Sequence, residues 1–313
     1  MNAQPVETRE LPRTSLKASP ITLGTSYLGR GTVPGGPGEQ AAVEFAEAML
    51  SGPYALVDTS NEYAQGRSEA VLGIAASAGI GPGRAIVTKT DRDVATGVFD
   101  EDRVLWSFEE SCTRLGVERI PLLHLHDPYS VSFEEATGPR GAVAGMLRLK
   151  DQGLVDAIGI AAGRVGLVAQ YVGTGLFDAL LTHNRYTIVD QSALPLIEEA
   201  TSRGMAVFNA APFGGNLLAK GAASGGSYNY TASPPALLEW VARAEDVAAR
   251  HGVTLPAVAL HYSLRSPMIH STVVGVSKIE RIAELERLRT TGIPDELWAD
   301  LEALGPAPSP VTD

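Results

Sequence analysis

Eight short runs rich in apolar and β-branched residues alternate with eight stretches of helical period along almost the whole chain. The strand candidates are "PITLGTSYLG", "YALVDTS", "AIVTKTD", "IPLLHLHD", "DAIGIAA", "FDALLTH", "MAVFNAAPF" and "STVVGVS". Between them lie "EQAAVEFAEAML", "SEAVLGIAAS", "DRVLWSFEESCTRLG", "GAVAGMLRLKDQG", "VGLVAQYVG", "SALPLIEEATSRG", "PALLEWVARAEDVAARHG" and "KIERIAELERLRT". Such alternation is the mark of parallel βαβ units, and eight of each predicts a single α/β domain folded as a (β/α)8 TIM barrel. Glycines close several predicted helices, at Gly116, Gly153, Gly204 and Gly252, where a left-handed cap turns the chain toward the next strand. That regularity argues against the two domains that 313 residues would also permit.

The expected organisation is an N-terminal arm over 1–20, the barrel over 21–304 and a C-terminal tail over 305–313, with both ends loose. Two Gly-rich segments, "GRGTVPGGPGEQ" and "AKGAASGGSYNYTASPP", follow strands one and seven, and the second is long enough to fold over a ligand. A composition of 44% hydrophobic and 19% charged residues describes a soluble globular chain. No apolar run reaches the roughly 18 residues of a membrane span. The opening "MNAQPVETRELPRTSLKASP" lacks the apolar core of a signal peptide, so a cytoplasmic location is expected. A net charge of -11 with no basic stripe makes nucleic acid an unsuitable partner. Cys112, the only cysteine, is expected as a small hydrophobe on a helix.

Active groups of such a barrel sit at the C-terminal ends of its strands, so polar residues that end apolar runs become candidates: Asp58, Lys89 and His126. Residues two apart share a side of a strand, which aligns Leu56 with Asp58, Val87 with Lys89 and His124 with His126. Tyr63, in the polar loop five residues beyond Asp58, completes the set a carbonyl reductase needs. A phenol titrates near 10 and is a poor acid at neutrality, but an adjacent ammonium stabilises phenolate. Lys89 is expected to lower Tyr63 in this way, Asp58 to hold the ammonium, and His126 to hydrogen-bond and orient the carbonyl oxygen. His124 is the rival of His126; His126 lies nearer the strand end. Tyr27, Leu28, Trp106, Tyr129, Tyr228 and Tyr230 are candidate walls for a substrate.

The stretch "DTSNEYAQGRSEAVLG" resembles the aldo-keto reductase pattern, as do "VTKT" and "LLHLHDP" with that family's lysine and histidine strands. The resemblance runs over about residues 21–290, since "GLVDAIGIAAG", "FDALLTHNRYTIVD" and "VVGVSKIERIAE" follow in the family's order. It implies a nicotinamide cofactor, NADP with NAD as the alternative, a catalytic set of Asp58, Tyr63, Lys89 and His126, no metal, and a monomer or small homo-oligomer acting on a carbonyl or sugar substrate. The sugar 1-dehydrogenase branch is the nearer one, because "NAAPFGG" places Ala210 and Ala211 where other members carry an aromatic. Ala64 stands where a glycine is usual, and Ala161 and Ala162 replace a Ser-Asn pair, which leaves His183 and Asn184 to contact the carboxamide. Phe213, Gly214, Gly215, Asn216 and Leu217 are suited to wrap a pyrophosphate, since glycines permit close backbone approach. Ser277, Lys278 and Arg281 at the start of the last helix offer donors to phosphate. Gly275 and Leu285 fall where many members keep Lys and Asn, which holds NAD open.

Three other readings make different demands. Gly36, Gly38 and Ala41 give a GxGxxA pattern about twenty residues before Asp58, but the first glycine does not follow its strand directly, as a Rossmann turn requires. A barrel lyase or aldolase would use Lys89 as a Schiff-base amine, trapped by borohydride, and would leave "VSKIER" without a role. The resemblance also allows a nucleotide-binding regulatory subunit with little turnover.

Overall fold

The structure, a computed structural model, describes residues 6–311. Eight parallel strands close a barrel: β1 (Ile21–Gly24), β2 (Leu56–Asp58), β3 (Ala85–Thr90), β4 (Ile120–His126), β5 (Val155–Ala161), β6 (Ala179–His183), β7 (Ala206–Ala210) and β8 (Ser271–Gly275). Each pairs with the next, and β8 returns to β1 through Val273↔Thr22. The expected (β/α)8 barrel is the fold observed.

Period-2 alternation divides the strands. Leu56, Val87, Leu122, Ala157, Leu181, Phe208 and Val273 fill the barrel interior, while Ile21, Leu23, Val57 and Ile86, or Leu123, Leu125, Ile158 and Ile160, face the outer helices. The interior set is the closed apolar floor on which the polar mouth stands. Register decides what that mouth contains: Asp58 lies opposite Val87, Lys89 opposite His124, and His126 opposite Ala161. Space for the rings comes from missing side chains, since a Cβ on Gly159 would lie 2.2 Å from His124 Nδ1.

Of the arm and tail expected to be loose, residues 1–5 and 312–313 lie outside the described residues, and the described parts, 6–20 and 305–311, are docked. Arg9–Glu10 and Lys17–Ala18 pair as a hairpin whose Leu11, Leu16 and Ala18 join the interior cluster and plug the bottom of the barrel. Arg9 Nη1 and Arg13 Nη1 donate to the carbonyls of Ile269 (3.3 Å) and Phe177 (3.2 Å), tying that plug to the rim. At the other end Trp240 Nε1 donates to Gly305 O at 3.0 Å, Ser309 donates to Asp190, and Ala307 and Val311 pack on the outer core. Apolar residues at positions 11, 16, 307 and 311 explain why these segments dock. Among the described residues four α-helices lie outside the predicted eight: the short Phe133–Thr137 and Leu217–Lys220, and two longer ones. Leu255–Leu264 lies between the barrel and Pro235–Arg250, and Asp295–Glu302 covers the latter with Leu297, Trp298 and Leu301.

If the hairpin seals the floor, Leu11→Ala opens a cavity in a fully enclosed layer and should cost about 2–5 kcal/mol. Urea unfolding checks this; an unchanged midpoint would mean that the hairpin only rests on the barrel.

Candidate active site

The strand ends of β2, β3 and β4 bring three ionisable groups to the barrel mouth. Lys89 is 1% exposed, and its Nζ donates to Asp58 Oδ2 at 2.7 Å and to Thr59 O at 2.6 Å. Its ammonium lies 4.6 Å from the centroid of the Tyr63 ring. Burial pulls the Lys89 amine down, but Asp58 and the phenol beside it outweigh that and hold it above its usual value. A Schiff-base lysine needs a lowered amine. The lyase reading therefore has no support in this environment.

Tyr63 arrives from a tight turn between β2 and the helix Arg67–Ser77. Ala64 and Gln65 take positive φ of 51° and 58°, followed by Gly66 at 80°, so the usual glycine after the tyrosine has a backbone reason that Ala64 meets with strain. The "SE" of the motif fastens this turn. Ser68 Oγ lies 2.8 Å from both Thr25 Oγ1 and Thr59 Oγ1. Glu69, fully buried, accepts from Thr88 Oγ1 at 2.6 Å and Arg114 Nη1 at 3.2 Å, and Arg114 also holds Asn61 O at 2.9 Å.

The expected lowering of Tyr63 is not the net result. Burial pushes its phenol up to about 12; Lys89 pulls down and Asp58 pushes up again. The cation moderates the desolvation without reversing it, because Asp58 neutralises much of its field.

His126 stands edge-on to Tyr63, with ring centroids 5.7 Å apart. Its Nδ1 lies 2.7 Å from Asp91 Oδ1 and 3.1 Å from Ser60 Oγ, and Ser60 donates to Asp91 Oδ2. Burial pulls the imidazole down, but the Asp91 carboxylate outweighs it and the net direction is up. His124, one layer deeper, is 1% exposed, makes no hydrogen bond through either ring nitrogen, and is held neutral by burial with Lys89 and His126 adding to the effect. Asp127, left-handed at φ 41°, sits 3.9 Å from His126 Nε2 and 3.7 Å from His183 Nε2. Burial would raise its carboxyl, yet the two histidines bring it down to about 2.

These groups open on a cavity of about 950 Å³. Of the sequence candidates, Asp58, Tyr63, Lys89, His126, His183, Phe213, Gly215, Asn216 and Ser277 line it. Others do not. Asn184 is fully buried, its Nδ2 bonded to His183 Nδ1 (3.1 Å) and Asn229 Oδ1 (3.3 Å), so it orients His183 and the loop rather than facing the cavity. Gly214 lies under Tyr228, whose ring a Cβ there would meet at 2.2 Å, and Leu217 belongs to the outer core. Lys278 and Arg281 are exposed beyond the rim, with Arg281 bonded to Glu284. Tyr27 and Tyr230 line the cavity; Leu28 and Tyr228 are core. Tyr228 OH, 2.6 Å from Thr187 Oγ1 and donating to Asn184 O at 3.0 Å, anchors the hairpin Ser227–Tyr228/Thr231–Ala232 that holds Tyr230 over the opening. Gly38 caps the helix Glu39–Ser51 away from the cavity, and Asp58 is committed to Lys89, which removes the Rossmann reading. Cys112 is half-buried, its thiol pushed up to about 11 by burial. Among the described residues no helix is long and apolar enough to cross a membrane.

Comparison with known proteins decides the family. The aldo/keto reductase family model matches residues 20–306. The chain belongs to that family. It is therefore an oxidoreductase of a family that uses nicotinamide cofactors. It is 28% identical to L-galactose dehydrogenase of Arabidopsis thaliana, over 96% of this chain and 94% of that one. Pyridoxal 4-dehydrogenase of Microbacterium luteolum is 26% identical, over 97% and 99%. D-threo-aldose 1-dehydrogenase of a Pseudomonas species is 29% identical over 68% of this chain, which spans 64% of that relative. The holo form of an aldo-keto reductase from Bacillus halodurans shares the fold at a TM-score of 0.74 and 18% identity, over 96% of each chain.

Removing the cation alone tests how the mouth is balanced. Lys89→Met leaves Asp58 buried and unpaired and should cost about 3–5 kcal/mol, of which Asp58→Asn in the same chain should return a large part. Urea unfolding of the two variants checks this, and equal stability would contradict the pairing.

Proposed function

We propose that the protein interconverts an aldehyde, ketone or sugar hydroxyl with its oxidised or reduced partner, with Tyr63 as the acid and base. The observation that carries this reading is the phenol of Tyr63 beside the buried Lys89–Asp58 pair at the wall of the cavity at the barrel mouth, with His126 across from it. In reduction Tyr63 gives its proton to the substrate oxygen while the carbonyl carbon accepts hydride; in oxidation the phenolate takes the hydroxyl proton as hydride leaves. His126 hydrogen-bonds the oxygen and fixes its direction. A bound nicotinamide supplies or accepts the hydride.

The cavity walls suit that cofactor. They run from the mouth along Gly24–Ser26, Ala211–Phe213, Gly215 and Asn216 to Val276 and Ser277, with small residues at Gly24, Ala161, Ala210, Ala211, Gly215 and Gly275. His183 Nδ1 accepts from Asn184, so Nε2 carries the proton and is a donor toward the cavity where Ala161 offers none. Lys278, just before the helix Glu280–Arg289, and Arg281 in its first turn favour NADP through the extra phosphate, with NAD as the alternative. The two dehydrogenases matched over nearly their whole length agree with a sugar or other hydroxylated small molecule. We read the protein as a cytoplasmic monomer or small homo-oligomer with no nucleic-acid partner.

Nicotinamide absorbance with both cofactors and a panel of aldehydes and aldoses tests the reading. Tyr63→Phe should lower turnover roughly 10²–10⁴-fold, the usual contribution of a general acid, while cofactor binding persists. Undiminished turnover in Tyr63→Phe would overturn the assignment.

A further inference from the structure

Asp91 lies just beyond β3, two residues after Lys89 and on the same side of the chain, yet it does not line the cavity. It is 4% exposed, and each carboxylate oxygen is engaged. Oδ1 faces His126 Nδ1 at 2.7 Å, and Oδ2 accepts from Ser60 Oγ and, at 3.0 Å, from the Glu62 amide. Its own amide is fixed by Ser107 Oγ at 3.2 Å. A buried carboxylate held from three sides and aimed at one ring nitrogen is a built arrangement, since an ionised acid is too costly to bury without such partners. An ionised carboxylate can only accept, so Nδ1 carries a proton and Nε2 is the nitrogen left for the cavity.

Resting on the function proposed above, we propose that Asp91 is the positioning residue of His126: its carboxylate fixes the ring and keeps a second proton on Nε2, which is thereby a hydrogen-bond donor to the substrate's carbonyl oxygen. The proton that moves to that oxygen still comes from Tyr63; His126 polarises the C=O and transfers nothing. Without Asp91 a neutral ring has one proton for two nitrogens, and a proton left on Nδ1 would turn a bare lone pair toward the oxygen, where it repels.

The other groups facing the ring do not make the same provision. Asp127 is more exposed and 3.9 Å from Nε2, on the side of the substrate, and it is shared with His183. Glu62 accompanies Asp91, and its carboxyl is pushed up by burial and then by the Asp91 charge, which leaves it the weaker anion. Lys89 opposes the imidazolium, and neutral His124 beneath adds no charge in its favour. Tyr63 stays protonated. Asp91 is the only one of these carboxylates in hydrogen-bond contact with the ring among the described residues.

The sign follows directly. A histidine raised by a carboxylate keeps its proton to higher pH, so kcat/KM for reduction holds until pH passes the raised value and then falls. In Asp91→Asn that fall should begin roughly one pH unit or more lower, the size of effect an opposite charge at this range produces. Cofactor affinity should be unaltered. A purely structural role would lower activity equally at all pH, and a pH profile parallel to the parent's would overturn the proposal. NMR of the His126 ring C2–H, assigned by its loss in His126→Gln, supplies a readout that needs neither turnover nor a folded Asp91 variant. A midpoint above the ordinary histidine value supports the proposal, and one at or below it overturns the proposal. An inactive parent protein with a raised His126 midpoint would instead count against the reductase reading alone.

Discussion

The contact on which the site depends is the buried ion pair of Lys89 and Asp58. An ammonium with 1% exposure would cost several kcal/mol to desolvate, and it persists because one carboxylate and one carbonyl accept from it within 2.7 Å. The apolar floor of Leu56, Val87 and Leu122, sealed from below by Leu11 and Leu16, gives the pair its low dielectric. The turn that carries Tyr63 is built around the same place, with Thr59 giving its carbonyl to the lysine and its hydroxyl to Ser68. Fold and site are therefore one construction. The register that puts Lys89 beside His124 also puts Asp58 within reach of it.

The architecture was legible because each strand ends in a change of character. An apolar run halting at Asp58, Lys89 or His126 marks both a strand and the end that faces the mouth. The helices Leu255–Leu264 and Asp295–Glu302 were less legible for opposite reasons. The first is wedged among three clusters and apolar on most faces, so it shows no amphipathic period; the second is two turns long. Ends read as loose are docked by single residues, Leu11 and Val311 among them, that carry no periodic signal.

Within the site, parity found Lys89 and, taken one step further, points to Asp91, since 87, 89 and 91 share a side. What sequence could not supply was the sign of competing energies. Lys89 does favour phenolate, but burial favours phenol more, and only the three-dimensional surroundings weigh one against the other. Nor could it separate Asn184 from His183, adjacent in the chain, of which one is fully buried and the other faces the cavity.

The two protonation states now combine. A phenol held near 12 keeps its proton at neutral pH, and an imidazole held above its ordinary value keeps its second proton to higher pH than a free one, so with both protonated the mouth presents two O–H or N–H donors to one incoming oxygen. That arrangement matches a carbonyl gaining negative charge as hydride arrives. Within the proposed chemistry, oxidation needs the reverse, a phenolate, and meets the cost of removing a proton that burial retains. With Tyr63 as the proposed acid and base, the sign of burial there would tie the direction of catalysis to pH: more alkaline conditions release the phenol and weaken the donor pair together, which favours oxidation at the expense of reduction.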